Sequence, residues 1–139
     1  MTRFLIDTSC WLWAVSEPER LRPAIRELLE DSENTVFFSA ISAFEIAIKF
    51  ALGKLRLPMP PSEMVPASAD ALPVVHLPVY VSHGLRVGEL PAHHNDPFDR
   101  LLIAQSQIED LPIMTADHAI AQYDVEVIWA GRGRAPRRR

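Results

Sequence analysis

Short apolar runs alternate with longer helical patterns along the chain. Runs too short for a helix predict buried strands at 3–6, 36–38, 74–76, 113–115 and 125–129. Between them, apolar residues recur at helical spacing, for example at Ile25, Leu28 and Leu29 within a helix predicted over 21–29. Strands that alternate with helices in this way predict an α/β sandwich around a mostly parallel central sheet.

Several predicted helices carry their own boundary signals. Asp7 directly follows the first predicted strand and begins the segment Asp-Thr-Ser, which is typical of a helix start. Ser42 is predicted to begin a helix that ends near Leu52, with Gly53 as its C-terminal cap. The strongest signal is Asp96-Pro97, because proline suits the first helical position and the preceding aspartate caps it.

The other segments are less regular. Four prolines predict a connector over 57–66, with a short helix from Ser62, and a further helix is expected over 79–90. In the helix that follows Asp96, the apolar spacing predicts a core-facing side formed by Phe98, Leu101, Leu102 and Ile108.

Composition limits the chain to one domain of ordinary size. Of its 139 residues, 48% are hydrophobic, which is enough for a core, and we predict a single domain over 1–131. No apolar run approaches the roughly 18 residues of a membrane span, and Asp7 interrupts the first apolar run. We therefore expect a cytoplasmic protein without membrane association. The single cysteine, Cys10, excludes an intramolecular disulfide and a cysteine-rich metal site.

Charge is distributed unevenly. Five of the 14 cationic residues lie in the last eight positions, so residues 1–131 hold nine cations against 18 acids, a net charge of −9. Nucleic-acid chemistry on such an acidic body would need metal ions to offset repulsion from phosphates. We expect the basic tail over 132–139 to be disordered, either as an arm that attracts phosphates or as a solvated end.

Acidic residues mark several predicted junctions between strands and helices. They are Asp7, Glu45, Asp96, Asp99 and Asp117. Because the carboxyl ends of parallel strands meet at one edge of a sheet, these carboxylates should converge there. A divalent cation would offset their repulsion, and oxygen ligands suit Mg²⁺ or Mn²⁺. Such a site is suited to in-line displacement at a phosphodiester.

Local capping is the alternative interpretation of each acid. Ser42 and Glu45 fit a capping box, Asp96 fits an N-cap, and Asp117 can cap a short helix from His118. The hydroxyls of Thr8, Ser9 and Thr115 either support the carboxylates or act as caps themselves. Arg100 is interpreted as one side of a surface ion pair or as a phosphate contact. His93 and His94 could contact phosphates or a metal, but exposed loop histidines usually do neither, so we assign no role to them or to His118.

Four segments together resemble a known family. They are Phe4-Leu-Ile-Asp7-Thr-Ser9, Ser42-Ala-Phe-Glu45-Ile-Ala-Ile-Lys49, His94-Asn-Asp96-Pro-Phe-Asp99-Arg-Leu-Leu-Ile-Ala104-Gln and Met114-Thr-Ala-Asp117. In this order they resemble the acidic motifs of PIN-domain ribonucleases and, more narrowly, of the VapC toxins of type II toxin–antitoxin systems. The resemblance spans about residues 3–129.

This resemblance implies a PIN-like α/β/α fold and Mg²⁺-dependent, or Mn²⁺-dependent, endoribonuclease activity. The catalytic acids would be Asp7, Glu45, Asp99 and Asp117, with Asp7, Asp99 and Asp117 as metal ligands. Asp96 would be an additional acid that caps the helix or supports the ligands, as Thr8, Ser9, Thr115 and Arg100 would. The family mechanism needs no side-chain nucleophile and leaves 5′-phosphate and 3′-hydroxyl ends.

The resemblance also implies partners. It predicts an RNA substrate, a cognate antitoxin, and either a homodimer or a toxin–antitoxin hetero-oligomer. The competing hypothesis is a PIN-fold binding module without activity. A phosphotransfer domain is disfavoured because no second acid stands two residues after Asp7, and a nucleotide cofactor is disfavoured because no glycine-rich phosphate loop is present.

Overall fold

A computed structural model describes residues 1–137; Arg138 and Arg139, the end of the predicted disordered tail, lie outside the described residues. The five strands are β1 (Arg3–Ile6), β2 (Thr35–Ser39), β3 (Val75–Leu77), β4 (Ile113–Thr115) and β5 (Val127–Trp129). The six α-helices in this part of the chain are α1 (Thr8–Ser16), α2 (Pro23–Glu30), α3 (Ala40–Ala51), α4 (Pro61–Ala67), α5 (Val81–Val87) and α6 (Pro97–Glu109). None of these helices is long and apolar enough to span a bilayer.

The strands form one parallel sheet in the order β3-β2-β1-β4-β5. The predicted α/β fold is confirmed, and the predicted mostly parallel sheet is parallel throughout these five strands. Strand order changes direction between β1 and β4, since β2 and β3 continue to one side of β1 while β4 and β5 lie on the other. The crevice beyond the carboxyl ends of β1 and β4 is where such sheets place their functional sites.

Alternating side chains of β1 supply both faces of the core. Phe4 and Ile6 pack on the face that α1 and α2 cover, together with Trp11 and Ile25. Leu5 packs on the opposite face, against residues of α6 such as Leu102. All three β1 residues are fully buried, as expected for the central strand of a sheet with helices on both sides. The central strand therefore holds the residue that follows it, Asp7, in a fixed place.

Helix α3 begins three residues earlier than predicted. Ser39 is its N-cap and accepts a hydrogen bond from the Ile41 amide, whereas Ser42 is buried inside the helix. The predicted capping box of Ser42 and Glu45 is therefore wrong. The predicted end of the helix is confirmed, because Gly53 adopts φ = +72°, a left-handed conformation that glycine accepts without strain.

Helix α6 begins as the sequence predicts. The Asp96 carboxylate caps it by accepting hydrogen bonds from the Phe98 and Asp99 amides at 2.9 and 3.0 Å. Its fully buried stretch runs over 102–106, so Leu102 is buried as predicted, whereas Phe98 is only half-buried. Leu101 and Ile108 are half-buried as well. The buried face of α6 differs from the predicted apolar face because it includes polar residues, such as Gln105, which bonds to Ser39 across the core.

Ser39 connects α6 to α3, so the Ser39 hydroxyl should contribute to the stability of the fold. It donates to Gln105 Oε1 at 2.6 Å and also caps α3. Ser39→Ala should lower the free energy of unfolding by about 1–3 kcal/mol, because it removes a cap and leaves a buried amide oxygen without a donor. Urea unfolding measures this loss. The exposed Ser82→Ala on α5 is the control, and an equal effect of both substitutions would contradict the prediction.

Candidate functional site

Asp7 lies at the carboxyl end of β1 and is the N-cap of α1. Its Oδ1 accepts a hydrogen bond from the Cys10 amide at 2.8 Å, and its Oδ2 accepts one from Thr115 Oγ1 at 2.6 Å. The residue is 4% exposed. The Asp7 carboxylate therefore both caps α1 and bonds to the neighbouring strand β4, so two separate segments of the chain fix its position.

Asp117 follows β4 and stands beside Asp7 on the same edge. Its amide donates to Thr115 Oγ1, so the Thr115 hydroxyl joins the Asp117 backbone to the Asp7 side chain. Its Oδ1 accepts from the Ala119 amide at 2.8 Å. The short 3-10 helix that follows begins only at Ile120, with Ala119 as its N-cap, so the predicted cap by Asp117 on a helix from His118 is wrong. Asp117 is exposed, in contrast to Asp7.

Glu45 reaches the same region from the second turn of α3. One oxygen, Oε2, pairs with Lys49 Nζ, the i, i+4 partner on the same helix. The other, Oε1, is buried without a hydrogen-bond partner. A buried carboxylate oxygen without a donor is costly, so this oxygen is a natural position for a cation that the protein alone does not supply.

Asp99 lies in the first turn of α6, and its side chain is 16% exposed. Its Oδ2 stands 3.2 Å from His94 Nε2. His94 Nδ1 in turn lies 2.8 Å from the hydroxyl of the fully buried Tyr123. Sequence reasoning gave His94 no role and did not consider Tyr123, because 29 residues separate the two.

Arg100 completes this group but not in the predicted way. Its guanidinium donates to the Tyr123 hydroxyl at 2.9 Å and to the carbonyls of Pro91 and Val87 at 2.8 and 3.1 Å. The predicted surface ion pair is wrong, because loop carbonyls beyond α5 take up the guanidinium. Arg100 thus fixes Tyr123, which fixes the His94 ring beside Asp99.

The remaining hydroxyls differ in position. Thr8 Oγ1 donates to Ser42 Oγ at 2.9 Å, which ties the start of α1 to α3. Ser9 is exposed on α1. Burial, with the charge of Asp7 adding to it, raises the pKa of the Cys10 thiol far above its usual range. The thiol is therefore not a nucleophile at neutral pH.

The carboxylates act on one another electrostatically. Burial raises the pKa of Asp99 to about 8, and the charges of the other four acids, Asp96, Asp117, Asp7 and Glu45, add to that rise. Burial also raises the pKa of Asp7, with a further contribution from Asp117, against the lowering effect of its hydrogen bonds from Thr115 and Cys10. The other four sequence-predicted acids thus lie near enough to Asp99 for their charges to act on it, and we call this group of five carboxylates the acidic pocket.

The donor chemistry of this pocket fits a divalent cation such as Mg²⁺ or Mn²⁺. All its ligating atoms are carboxylate oxygens, one of them buried without a partner. Among residues 1–137, however, no three His, Cys, Asp or Glu side chains are arranged as a ready metal-binding group. Lys49 and His94 each contact one carboxylate oxygen of this group, that of Glu45 and that of Asp99.

The PIN domain family model matches residues 4–126. None of the curated proteins matches the sequence significantly.

Solved structures share the fold over nearly the whole chain. The VapBC2 complex of Rickettsia felis, bound to a DNA fragment from its promoter, contains a chain with a TM-score of 0.70 and 13% identity, over 93% of this chain and 99% of that one. A chain of the DNA-bound VapBC of Salmonella typhimurium has a TM-score of 0.66 and 14% identity, over 91% of this chain and 97% of that one. A chain of FitAcB of Neisseria gonorrhoeae has a TM-score of 0.53 and 22% identity, over 89% of this chain and 95% of that one. At these identities the likeness concerns the fold.

Proposed function

The chain belongs to the PIN domain family, and from that premise we propose that it is a hydrolase, a metal-dependent endoribonuclease that cleaves RNA phosphodiesters. The observation that carries this proposal is the convergence of carboxylates on Asp99, whose pKa rises to about 8 through burial and the surrounding negative charge. A cluster that is unfavourable by itself is expected where a bound cation provides the missing charge. Asp7, Glu45, Asp99 and Asp117 are the proposed catalytic acids.

Asp7, Asp99 and Asp117 would hold the metal, with Glu45 at the edge of the pocket. When bound, Mg²⁺ or Mn²⁺ supplies charge stabilisation at the phosphoryl oxygens and lowers the pKa of water. Thr115 and the Cys10 amide keep Asp7 in one orientation. The buried Cys10 thiol stays protonated and is not the nucleophile. Water would provide the attacking oxygen, and the family resemblance implies products with 5′-phosphate and 3′-hydroxyl ends.

The side chains around the acids control access to them. His94 holds one oxygen of Asp99, and Lys49 holds one oxygen of Glu45. To hold a cation through these same oxygens, Asp99 and Glu45 would have to be released from His94 and Lys49. Lys49 would then supply a positive charge next to the acids, which would favour binding of the RNA backbone.

We further propose that the protein is the toxin of a toxin–antitoxin pair in the cytoplasm. The four motifs that resemble VapC toxins and the VapBC fold relatives support this role. The partner would be a cognate antitoxin, in a hetero-oligomer or with a homodimer of this chain. Basic antitoxin residues laid on the acidic pocket would block it by charge complementarity.

A PIN-fold binding module without activity is the second candidate. It is favoured by one observation, the lack of a ready three-ligand group among residues 1–137. In that case Lys49 and His94 would be permanent partners of Glu45 and Asp99, and the acids would only attract a basic protein.

Cleavage of a mixed RNA pool separates the two candidates. The purified protein should cut RNA with Mg²⁺ or Mn²⁺, stop in EDTA, and leave 5′-phosphate ends that a phosphate-specific exonuclease accepts. Asp7→Asn, purified identically, controls for contaminating nuclease and should not cut. If folded wild type does not cut with either metal, or if both proteins cut alike, the nuclease proposal fails and the binding module remains.

A further inference from the structure

A second, basic cavity lies outside the acidic pocket. It has a volume of about 290 Å³ and is formed by the turn before α2, the first turns of α2 and the chain after β5. Four arginines line it, with a single carboxylate, that of Glu19: Arg20, Arg22, Arg26 and Arg132. Three of the nine cations of residues 1–131 are thus gathered on one side of a body that carries −9.

The guanidinium groups of this cavity are incompletely paired. The Nε atoms of Arg22 and Arg26 are buried and have no hydrogen-bond partner. Arg22 uses its Nη2 to hold the Trp129 carbonyl. Arg20 makes an exposed pair with Glu17 at 3.4 Å, and its guanidinium lies over the Trp13 ring, 4.4 Å from the ring centre. Buried guanidinium donors without acceptors are costly, which points to an anionic ligand with several acceptor oxygens.

The chain after β5 is shaped to bring Arg132 to this place. A Cβ at Gly131 would stand 2.6 Å from the Trp129 indole, so only glycine lets the backbone turn this closely against the ring. The carbonyl of the same Trp129 is the one that Arg22 holds. The basic tail therefore leaves the sheet directly into the arginine cavity.

The cavity and the acidic pocket lie on the same edge of the sheet. Trp129 of β5 pairs in register with Thr115 of β4, and Thr115 donates to Asp7, which follows β1. Arg22 at Trp129 is thus about two strand spacings, roughly 10 Å, from Asp7. A polyanion bound at the acidic pocket would therefore lie near these arginines.

We propose that the arginine cavity binds a backbone phosphate of the RNA substrate, close to the linkage that is cleaved. This inference rests on the proposed function for its choice of RNA as the polyanion. It explains how an acidic protein binds an acidic substrate, because the arginines supply affinity while the carboxylates perform the chemistry. Guanidinium groups suit this task, since their donors match phosphate oxygens in pairs.

Binding of a fluorescein-labelled single-stranded RNA, followed by anisotropy in EDTA, tests the proposal without cleavage. The test variant is Arg26→Gln/Arg132→Gln, which leaves the Arg22 contact with Trp129 intact. The control is Arg56→Gln/Arg86→Gln, which changes net charge equally but lies outside the cavity. Unfolding midpoints verify that both variants fold.

We expect the cavity variant to bind RNA roughly tenfold more weakly, with the slope of log K against log salt concentration reduced by about 0.7, the value for one phosphate contact on a single strand. The control variant should stay within about twofold of wild type. Equal losses in both variants, unchanged binding in the cavity variant, or no RNA binding by wild type would each overturn the proposal. RNA cleavage with Mn²⁺ is measured separately. If wild type cleaves RNA but the cavity variant binds it as well as wild type does, only the proposal for the cavity fails. If the cavity variant binds RNA more weakly but wild type does not cleave it, only the nuclease proposal fails.

Discussion

Without a divalent cation, the free energy of unfolding should fall as the pH rises from about 4 to about 8, and Asp99→Asn should remove the part of that fall that Asp99 contributes, leaving the part due to Asp7, whose pKa burial also raises. Burial and four neighbouring acids raise the pKa of Asp99 from 3.8 to about 8 in the folded protein. In the unfolded chain the same carboxyl loses its proton near 3.8. Between these two values the folded state binds more protons, so each rise in pH favours unfolding.

The size of this effect follows from the same linkage. A pKa raised from 3.8 to about 8 corresponds to an upper limit of about 6 kcal/mol. The side chain is 16% exposed and water relaxes around it, so we expect a few kcal/mol. The stabilising contribution is complete below pH 3.8 and lost as the pH passes through about 8.

Urea unfolding in EDTA across this pH range measures the effect. Asp99→Asn should be more stable than wild type at pH 8, since the amide carries no charge to bury. Asp70→Asn, the same chemical change at an exposed position, should follow the wild-type curve. Added Mn²⁺ should restore stability to wild type and not to Asp99→Asn. A flat wild-type profile would contradict the electrostatic account of the pocket.

The parts of the site that sequence predicts are those set by local structure. Asp96 precedes a proline and Asp7 follows an apolar run, so each has a neighbour that fixes its role within a few residues. The structure places both at the ends where local rules put them, and both are caps. The order of the strands then brings their segments to one edge, which the alternating pattern of strands and helices also predicts.

The parts that sequence does not predict depend on contacts between distant segments. Ser39 and Ser42 are equally good caps by residue type, and the bond from Ser39 to Gln105, 66 residues away, is what distinguishes them. The ring of His94 is set by Tyr123, which no spacing rule connects to it. The arginine cavity likewise needs Arg132 to meet α2, which only the packing of Gly131 on Trp129 brings about.

Asp99→Asn should reduce RNA cleavage with Mn²⁺ by at least about 100-fold, because loss of a ligand should exceed the 10- to 100-fold cost of losing a group that only supports one. The asparagine keeps the size of the side chain and can still accept a hydrogen bond from His94. Helix α6 keeps its cap on Asp96. The expected loss of cleavage activity is therefore caused by removal of the Asp99 charge from the acidic pocket and not by a change of structure. Initial cleavage rates at saturating Mn²⁺, and the Mn²⁺ concentration needed for half the maximal rate, measure it.

Asp96→Asn is the matched control, since it removes the same charge one turn earlier on the same helix. Asparagine caps helices as well as aspartate does, so α6 should keep its start and cleavage should stay within about threefold of wild type. Equal losses in the two variants would mean that total negative charge, rather than a ligand at Asp99, supports activity. A loss confined to Asp96→Asn would move the ligand role from Asp99 to Asp96, and the raised pKa of Asp99 would then reflect only its burial beside the true site.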